Sequence, residues 1–257
     1  MEEADQAFFM MVPAEEHKTK PVVDAKLQEL KSWNEFGVFE EVTDDGQKAI
    51  TTTWVVTRKQ IGETLKVKAR LVARGYEEHS EVQADSPTVL KSTLKTMLAI
   101  AGMKGWQCKT TDVKTAFLQG SQIERDVYLK PPIEANSPNH LWKLKKVVYG
   151  LNDAARYWFF SVKKELEQLG CVQSKFDPAL FFFPADSPST NGNLKGIIVV
   201  HVDDFIHGGT DEFNKIIVTK LRETFRIGKI EESVFKHIGL NIINHKDHIA
   251  VSQDEFI

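Results

Sequence analysis

Apolar residues recur along this chain at two different spacings, and the spacing changes from segment to segment. Several stretches carry apolar residues every three or four positions, the period of a helix with one buried face. Pro21 suits a first helical position, and Gly37 and Gly170 suit helix ends. The pattern therefore predicts amphipathic helices over residues 21–36, 90–101, 154–169 and 213–225.

Other segments are rich in β-branched and aromatic residues and are bounded by turn-forming residues, which is typical of strands. Residues 51–59 and 64–75 are separated by a short polar break, which predicts a hairpin. Further strands are predicted before Asp112, before Gly150, at 179–183 and 197–202, and as a final pair within 235–253. Irregular alternation of helices and strands, without a glycine-rich phosphate loop or a hydrolase motif, favours the α+β class.

The composition allows a substantial core, because the 257 residues are 42% hydrophobic and 27% charged. The net charge of -3 gives no general attraction to nucleic acid or to a membrane, so such binding would depend on local clusters. Cys108 and Cys171 show no metal-ligand spacing, which favours an intracellular chain without disulfides, in the cytoplasm or the nucleus. The apolar patch at 7–11 is too short to span a bilayer, so no membrane partner is expected. Residues 1–20 are expected to be a loose lead-in.

The second arm of the predicted hairpin is strongly basic. Residues 58–75 contain six basic side chains against one acid, Glu63. Lys66, Lys68 and Arg70 fall on one strand face, because successive side chains alternate. Such a face is typical of an edge strand guarded against aggregation, or of a site for a triphosphate or a nucleic-acid backbone. Both interpretations stay open at this point.

The segment GIIVVHVDDFIHGG, residues 196–209, places two adjacent carboxylates in an apolar strand and turn. Burying ionised neighbours is costly unless a cation compensates them, although an ordinary Asp-Asp turn is the alternative interpretation. Asp112 ends another predicted strand, so one sheet would bring it to the same edge as Asp203 and Asp204. Three converging carboxylates repel one another unless they bind divalent ions, and sites with two ions about 4 Å apart serve polymerases and nucleases.

The order of the motifs in this chain strongly resembles the reverse transcriptase domain of copia-type LTR retrotransposons. The resemblance runs from about Lys26 to the end through LVARG, SPT, DVKTAFLQG, LWKLKKVVYGLNDAARYW, DPALF, HVDDF and GLNI with VSQDEFI. It implies an α+β right-hand polymerase with an antiparallel palm sheet and helices on one face. Residues 21–105 would be mainly fingers and 106–257 mainly palm, with a fingers segment within 126–152. The thumb, whole or in part, and ribonuclease H would be absent.

The same resemblance implies a role for individual residues in catalysis. Asp112, Asp203 and Asp204 would be the catalytic carboxylates, and the Val113 carbonyl would be an additional metal ligand. The expected cofactor is Mg²⁺, with Mn²⁺ as an alternative. His201 and Val202 would lie near the primer end.

Nucleotide binding is assigned by resemblance to Lys68, Arg70, Phe117, Gly150 and Asp153. Phe117 matches the family's aromatic gate against a ribose 2′-hydroxyl, with core packing as its alternative role. Lys68 and Arg70 would meet the triphosphate of the incoming dNTP. Gly150 would belong to a loop beneath the nucleotide and the template.

The chain departs from the family pattern in two places. His201 stands where Tyr is usual, and its alternative role is that of a polar strand residue. Asn152, Asp153 and Ala155 replace the more usual Lys, Gln and Pro. A carboxylate near a triphosphate repels it, so Asp153 is expected to reduce nucleotide affinity. A zinc site at His201 and His207 is not expected, because nothing else at ligand spacing completes it.

The sequence therefore predicts an RNA-directed DNA polymerase that adds dNTPs to a primer paired with an RNA or DNA template. The rest of a Pol polyprotein is an expected partner, and without a thumb the chain is expected to extend a primer weakly. The alternative is a non-catalytic, element-derived module that binds nucleic acid or serves assembly. Asp153 and the short end favour that alternative, and the intact carboxylates oppose it.

Overall fold

The computed structural model describes residues 9–61, 64–79, 81–184 and 194–253. The helices are α1 (Lys20–Glu35), α2 (Lys91–Met103), α3 (Ala154–Gln168) and α4 (Asp211–Thr224). The strands are β1 (Phe9–Met11), β2 (Phe39–Thr43), β3 (Ala49–Ile50), β4 (Thr52–Ile61), β5 (Thr64–Ala73), β6 (Cys108–Val113), β7 (Tyr128–Leu129), β8 (His140–Leu144), β9 (Val172–Gln173), β10 (Leu180–Pro184), β11 (Leu194–His201), β12 (Asp204–Gly209), β13 (Ile227–Glu231), β14 (Val234–His237), β15 (Leu240–Asn244) and β16 (Ile249–Ser252). The helices predicted from apolar spacing are therefore confirmed at nearly their expected bounds.

The chain forms two compact units, each made of two chain segments. Unit 1 comprises Met1–Ala84 and Phe117–Tyr157, and unit 2 comprises Asp85–Ala116 and Trp158–Ile257. The first segment of unit 1 ends before α2, whereas the predicted fingers continued to residue 105. The assignment of fingers and palm to these segments stays a prediction.

Unit 1 contains the predicted basic hairpin, in which β4 and β5 pair from Thr52 with Ala73 to Ile61 with Thr64. Residues 62 and 63 of its turn lie outside the described residues. β1 pairs with β4, so Phe9–Met11 of the expected lead-in belong to a three-stranded sheet. The other sheet has the order β2-β8-β7-β3. The strand predicted to end near Gly150 instead ends at Leu144, and residues 145–150 are irregular.

Unit 2 is built on a six-stranded sheet with the order β13-β6-β12-β11-β10-β9, in which every neighbouring pair is antiparallel. The middle of β11, residues 197–200, is buried on both faces. Met97 and Ala101 of α2 lie near Gly208 on one face. Phe213 of α4 lies near Gly209 on the other face. The antiparallel sheet is confirmed, but the prediction of helices on one face only is wrong, because an all-apolar central strand needs cover on both sides.

The end of unit 2 is a three-stranded sheet with the order β14-β15-β16, whereas a pair of strands was predicted. The difference arises at Ile238 and Gly239, whose positive φ angles of 48° and 73° make a turn inside the first predicted strand. Residues 185–193, between β10 and β11, lie outside the described residues. Within the described ranges, no helix is long and apolar enough to cross a membrane.

Candidate active site

The carboxylates predicted to be catalytic lie in unit 2, where three strands run side by side. Asp204 begins β12 and is directly opposite His201 on β11 and Asp112 on β6. Residues directly opposite in an antiparallel sheet project their side chains to the same face. The sheet therefore brings Asp112, Asp204 and His201 together in one row across 3 neighbouring strands.

Asp203 lies in the two-residue turn that joins β11 to β12. Val202, the first turn residue, has a φ of 54°, a region that a β-branched residue rarely adopts and a turn position that normally requires glycine. Such a conformation costs about 1–3 kcal/mol and persists only when surrounding contacts impose it. The Trp158 Nε1 donates to the Val202 carbonyl at 2.7 Å, and the Val113 amide donates to the Asp203 carbonyl at 3.0 Å. The turn is therefore fixed by tertiary contacts.

The electrostatics of this row are those of crowded carboxylates. The pKa of Asp204 is raised to about 6, mainly by burial and then by the negative charges of Asp203 and Asp112. Asp112 lies close to β13, because a Cβ atom on Gly228 would be 2.3 Å from its Oδ2. Gly228 was not singled out from the sequence, since nothing local in RIGKIEE relates it to a strand more than a hundred residues earlier.

The chemistry of these donors suits a hard divalent cation. Carboxylate and carbonyl oxygens are the ligands that Mg²⁺ and Mn²⁺ prefer, and mutual repulsion among the carboxylates favours binding a cation. As the side chains are placed, no three His, Cys, Asp or Glu residues of the described chain are arranged to hold a metal ion. Val113 has a buried side chain, and ligation by its carbonyl stays a prediction. The donor set therefore fits the expected ion in chemical type.

His237 is a neighbour of this row that the sequence did not indicate. Its pKa is lowered to about 4, mainly by burial and then by the nearby charge of His201. Within the described chain, the buried His201 Nδ1 and His237 Nε2 have no hydrogen-bond partner. No sequence signal links the two, because His237 belongs to β14 and His201 to β11.

The residues predicted to bind nucleotide lie in unit 1. Lys68 is exposed and Arg70 is half-buried, on the face predicted by strand alternation. Burial raises the pKa of Glu29 above its usual value, although the nearby charges of Lys68 and Arg70 act in the opposite direction. The basic strand therefore has an internal carboxylate as one electrostatic neighbour.

Tyr149 links two of these predicted residues. The Arg70 guanidinium carbon lies 5.9 Å from the centroid of the Tyr149 ring. The Phe117 ring meets Tyr149 edge to face, with centroids 5.0 Å apart. Phe117 also packs against the core of unit 1, so gating and packing are both compatible with its position. Tyr149 was missed, although it directly precedes Gly150 in the motif.

Gly150 has no room for a side chain. Its φ is 90°, and a Cβ atom there would be 2.0 Å from the Ala73 carbonyl oxygen. The Tyr149 carbonyl accepts a hydrogen bond from the Ala73 amide at 2.7 Å. Glycine is therefore required where this loop crosses the end of β5.

Asp153 is almost fully buried and forms an ion pair. Its side chain is 3% exposed, and its Oδ2 lies 2.5 Å from Arg125 Nη1. Arg125 also pairs with Glu78, through Nε and Oε1 at 2.6 Å. The charge expected to repel a triphosphate thus has a cationic partner inside unit 1. Neither Arg125 nor Glu78 was singled out from the sequence.

A row of carboxylates across an antiparallel sheet is the arrangement expected of a nucleotidyl-transfer domain of the polymerase class. Residues 37–257 match the model of the reverse transcriptase (RNA-dependent DNA polymerase) family. The chain therefore belongs to the reverse transcriptase family, as an RNA-directed DNA polymerase domain of the kind carried by retrotransposon Pol polyproteins.

Its similarity to particular proteins confirms the copia-type resemblance. It is 32% identical to the retrovirus-related Pol polyprotein from transposon RE1 of Arabidopsis thaliana, over 62% of this chain and 11% of that protein. It is 30% identical to the Pol polyprotein from transposon RE2 of the same plant, over 79% of this chain and 14% of that protein. It is 27% identical to the Ty1-ER2 Gag-Pol polyprotein of Saccharomyces cerevisiae, over 78% of this chain and 11% of that protein. The chain thus spans 11–14% of the length of these relatives.

A solved structure of a foamy viral protease-reverse transcriptase in complex with double-stranded DNA has a similar fold. It aligns with a TM-score of 0.52 and 12% identity, over 92% of this chain and 36% of the other. At that identity the likeness concerns the fold alone.

Proposed function

We propose that this chain catalyses the addition of dNTPs to the 3′-hydroxyl of a primer, with Mg²⁺ or Mn²⁺ held by Asp112, Asp203 and Asp204. One observation carries the proposal. Asp204 is directly opposite Asp112, and both stand beside the fixed turn that bears Asp203. Burial and the charges of Asp203 and Asp112 both raise the pKa of Asp204, and a bound cation would offset both effects.

The carboxylates have complementary tasks in this proposal. Asp112 and Asp203 would hold the divalent ions, Asp204 would be the third carboxylate, and the Val113 carbonyl would be an additional ligand. When bound, divalent ions would lower the pKa of the primer hydroxyl and neutralise charge on the triphosphate. His201 and Val202 contact the primer end, and the turn contacts of Trp158 and Val113 keep the carboxylates in place during the reaction.

Unit 1 supplies the groups that recognise the incoming nucleotide. Lys68 and Arg70 bind the triphosphate, because they are cations on one face of β5. Phe117 excludes a ribose 2′-hydroxyl, which would select deoxynucleotides. Gly150 belongs to the loop beneath the nucleotide, and glycine lets this loop pass close to the end of β5, where a side chain would meet the Ala73 carbonyl.

The partners are an RNA or DNA template with its primer, and the remainder of a Pol polyprotein. The foamy viral structure of similar fold was solved with double-stranded DNA, and we propose a nucleic-acid partner for this chain because it belongs to the reverse transcriptase family. Unit 1 would be mainly fingers and unit 2 mainly palm. Cys108 and Cys171 are both buried free thiols, which supports the expected intracellular location.

Substitution of the turn carboxylate tests the proposal. Primer extension with dNTPs is measured over a Mg²⁺ series for the wild type, Asp203→Asn, and the control Asp247→Asn on an exposed turn. Asp203→Asn should lose at least about a hundredfold in rate, because it removes a preorganised electrostatic group. The control should match the wild type. Mg²⁺ should raise the melting temperature of the wild type more than that of Asp203→Asn.

Two outcomes would contradict the proposal. Extension by Asp203→Asn at wild-type rate and Mg²⁺ concentration would remove Asp203 from the site. Primer-template binding that ignores Mg²⁺ and dNTP, with no extension by the wild type, would favour the non-catalytic alternative.

A further inference from the structure

Arg125 joins two chain segments through a buried cluster in unit 1. It forms a fork with each of two carboxylates, at 2.6 and 3.1 Å to Glu78 and at 2.5 and 3.1 Å to Asp153. The side chains of Glu78 and Asp153 are 7% and 3% exposed, and that of Arg125 is 22% exposed. Burial lowers the pKa of Arg125, but its hydrogen bonds and charge pairs with the carboxylates outweigh burial and raise it. The guanidinium is therefore permanently charged.

The cluster stands beside a second junction of the same two segments. The Gly75 amide donates to the Gly150 carbonyl at 3.2 Å, and a Cβ atom on Gly75 would be 2.2 Å from that oxygen. Glu78 follows Gly75 by three positions, and Asp153 follows Gly150 by three positions. The segment 149–153 is thus attached at both ends, by backbone contact at Gly150 and by Arg125 at Asp153.

Stability alone is a poor explanation for this cluster. A buried ion pair often stabilises a fold no more than apolar residues of similar size, because both charges lose their hydration. The planar guanidinium of Arg125 also fixes the orientation of both carboxylates, because its donors hold them in one plane. The segment fixed in this way carries Tyr149, which contacts Phe117 and Arg70.

We propose that Arg125 is a positioning residue for the nucleotide site, holding the segment 149–153 through Asp153 and orienting Tyr149 between Phe117 and Arg70. This inference rests on the proposed function, in which Phe117, Arg70 and Gly150 bind the dNTP. Asp153 then acts through Arg125 and does not contact the triphosphate. Asp153 stands where the family usually has Gln, and its charge is neutralised by Arg125 within unit 1.

The sign of one kinetic change separates this inference from direct repulsion of nucleotide. If the Asp153 carboxylate repels the triphosphate, Asp153→Asn lowers the KM for dNTP. If Arg125 holds it, Asp153→Asn weakens the attachment and raises KM about three- to tenfold, the change expected for one weakened charged hydrogen bond. Arg125→Lys should act in the same direction, because it keeps the charge and loses the fork.

The experiment measures kcat and KM for dNTP and the Kd for primer-template, well below the melting temperature of each variant. The control is Lys145→Met, which removes a half-exposed partner of Glu40 in the same unit. A positioning role raises KM with kcat within about threefold, and the control leaves both unchanged. A merely structural role reduces the active fraction, so apparent kcat falls while KM stays constant, and that result would overturn the inference.

The inference and the proposed function fail in different ways. Wild-type extension with a lowered KM in Asp153→Asn overturns the inference and leaves the polymerase intact. If the wild type does not extend a primer, dNTP binding replaces KM in the comparison. It is measured as the rise in melting temperature that dNTP and Mg²⁺ produce in the wild type and in each variant. A chain that neither extends a primer nor binds dNTP overturns both.

Discussion

The two units handle their buried carboxylates in opposite ways. In unit 1, Asp153 and Glu78 share the guanidinium of Arg125. In unit 2, Asp204 has two further carboxylates as its electrostatic neighbours, and its pKa is raised to about 6. A carboxylate paired with an arginine side chain already has its charge neutralised within the fold. A carboxylate surrounded by other carboxylates gains stability when it binds a cation from solution. The difference predicts opposite responses when a single charge is removed.

The largest expected effect is the loss of the unit 1 cation. Arg125→Met should destabilise the protein by about 3 kcal/mol, because it leaves two buried carboxylates without their partner. Urea or thermal unfolding measures the change, with Lys145→Met as a control expected within about 0.5 kcal/mol of the wild type. Adding Glu78→Gln and Asp153→Asn to Arg125→Met should recover part of the loss. No recovery would mean that packing, and not charge, dominates this cluster.

A second effect sharpens the comparison through pH, because unit 2 also buries a neutral base. His207 is fully buried, its Nδ1 donates to Asn214 Oδ1 at 3.1 Å, and its Nε2 lies 3.4 Å from the Thr111 hydroxyl. Its pKa is lowered to about 4, mainly by burial. Among its charged neighbours, Lys109 lowers that pKa further and Glu232 raises it.

The unfolded chain binds a proton at His207 near pH 6.5 and the folded chain only near pH 4. The unfolded state therefore binds more protons between these values, and stability falls as pH falls through this window. At pH 5 the loss should be on the order of 2 kcal/mol. Melting curves from pH 7.5 to 5 should show a shallower decline for His207→Gln than for the wild type. An equally steep decline would assign the pH dependence to other groups, and the exposed His140→Gln is the control.

A third change should have the opposite sign to the first. In the presence of a chelator at neutral pH, Asp204→Asn should stabilise the protein by about 1 kcal/mol after allowing for solvent screening, because it removes a crowded negative charge. The same variant should lose primer extension. If Asp204→Asn instead lowers the free energy of unfolding, a basic side chain of the protein already neutralises the Asp204 carboxylate.

The smallest expected effect concerns backbone strain in the two sites. In the loop at Tyr149 and Gly150 the positive-φ residue is a glycine, whereas in the turn that bears Asp203 it is Val202. Val202→Gly relieves strain of about 1–3 kcal/mol and adds flexibility to the unfolded chain, so the net change in stability should be within about 1 kcal/mol. Nucleotide incorporation should nevertheless decrease, because the turn that holds Asp203 becomes less rigid. Unchanged incorporation would show that the strain has no catalytic role.

Local patterns predicted the parts of the fold that depend on neighbours in sequence. The helical stripe from Leu94 to Ala101 gave α2, and period-two alternation correctly placed Lys68 and Arg70 on one face of β5. The pattern failed where backbone conformation interrupts a regular run of residues. The turn at Ile238 and Gly239 divides a continuous apolar segment into β14 and β15, and apolarity alone does not show such a turn.

The sequence by itself determined the family and the α+β class, and it predicted which three carboxylates form the site. These follow from residue types at short spacing, and the family match over residues 37–257 agrees with the motif order. It could also indicate that Asp112 and the turn at Asp203 and Asp204 would meet, because each was predicted to lie at the end of a strand. Short-range chemistry was sufficient for each of these conclusions.

Only the tertiary structure decided which charges are compensated. Arg125 is separated by 47 residues from Glu78 and by 28 from Asp153, and nothing in its local sequence marks it as their partner. The raised pKa of Asp204 likewise depends on burial and on Asp112 from a distant strand. Coulomb interaction and desolvation depend on distance in space and on access to water, and both are fixed only when the chain has folded.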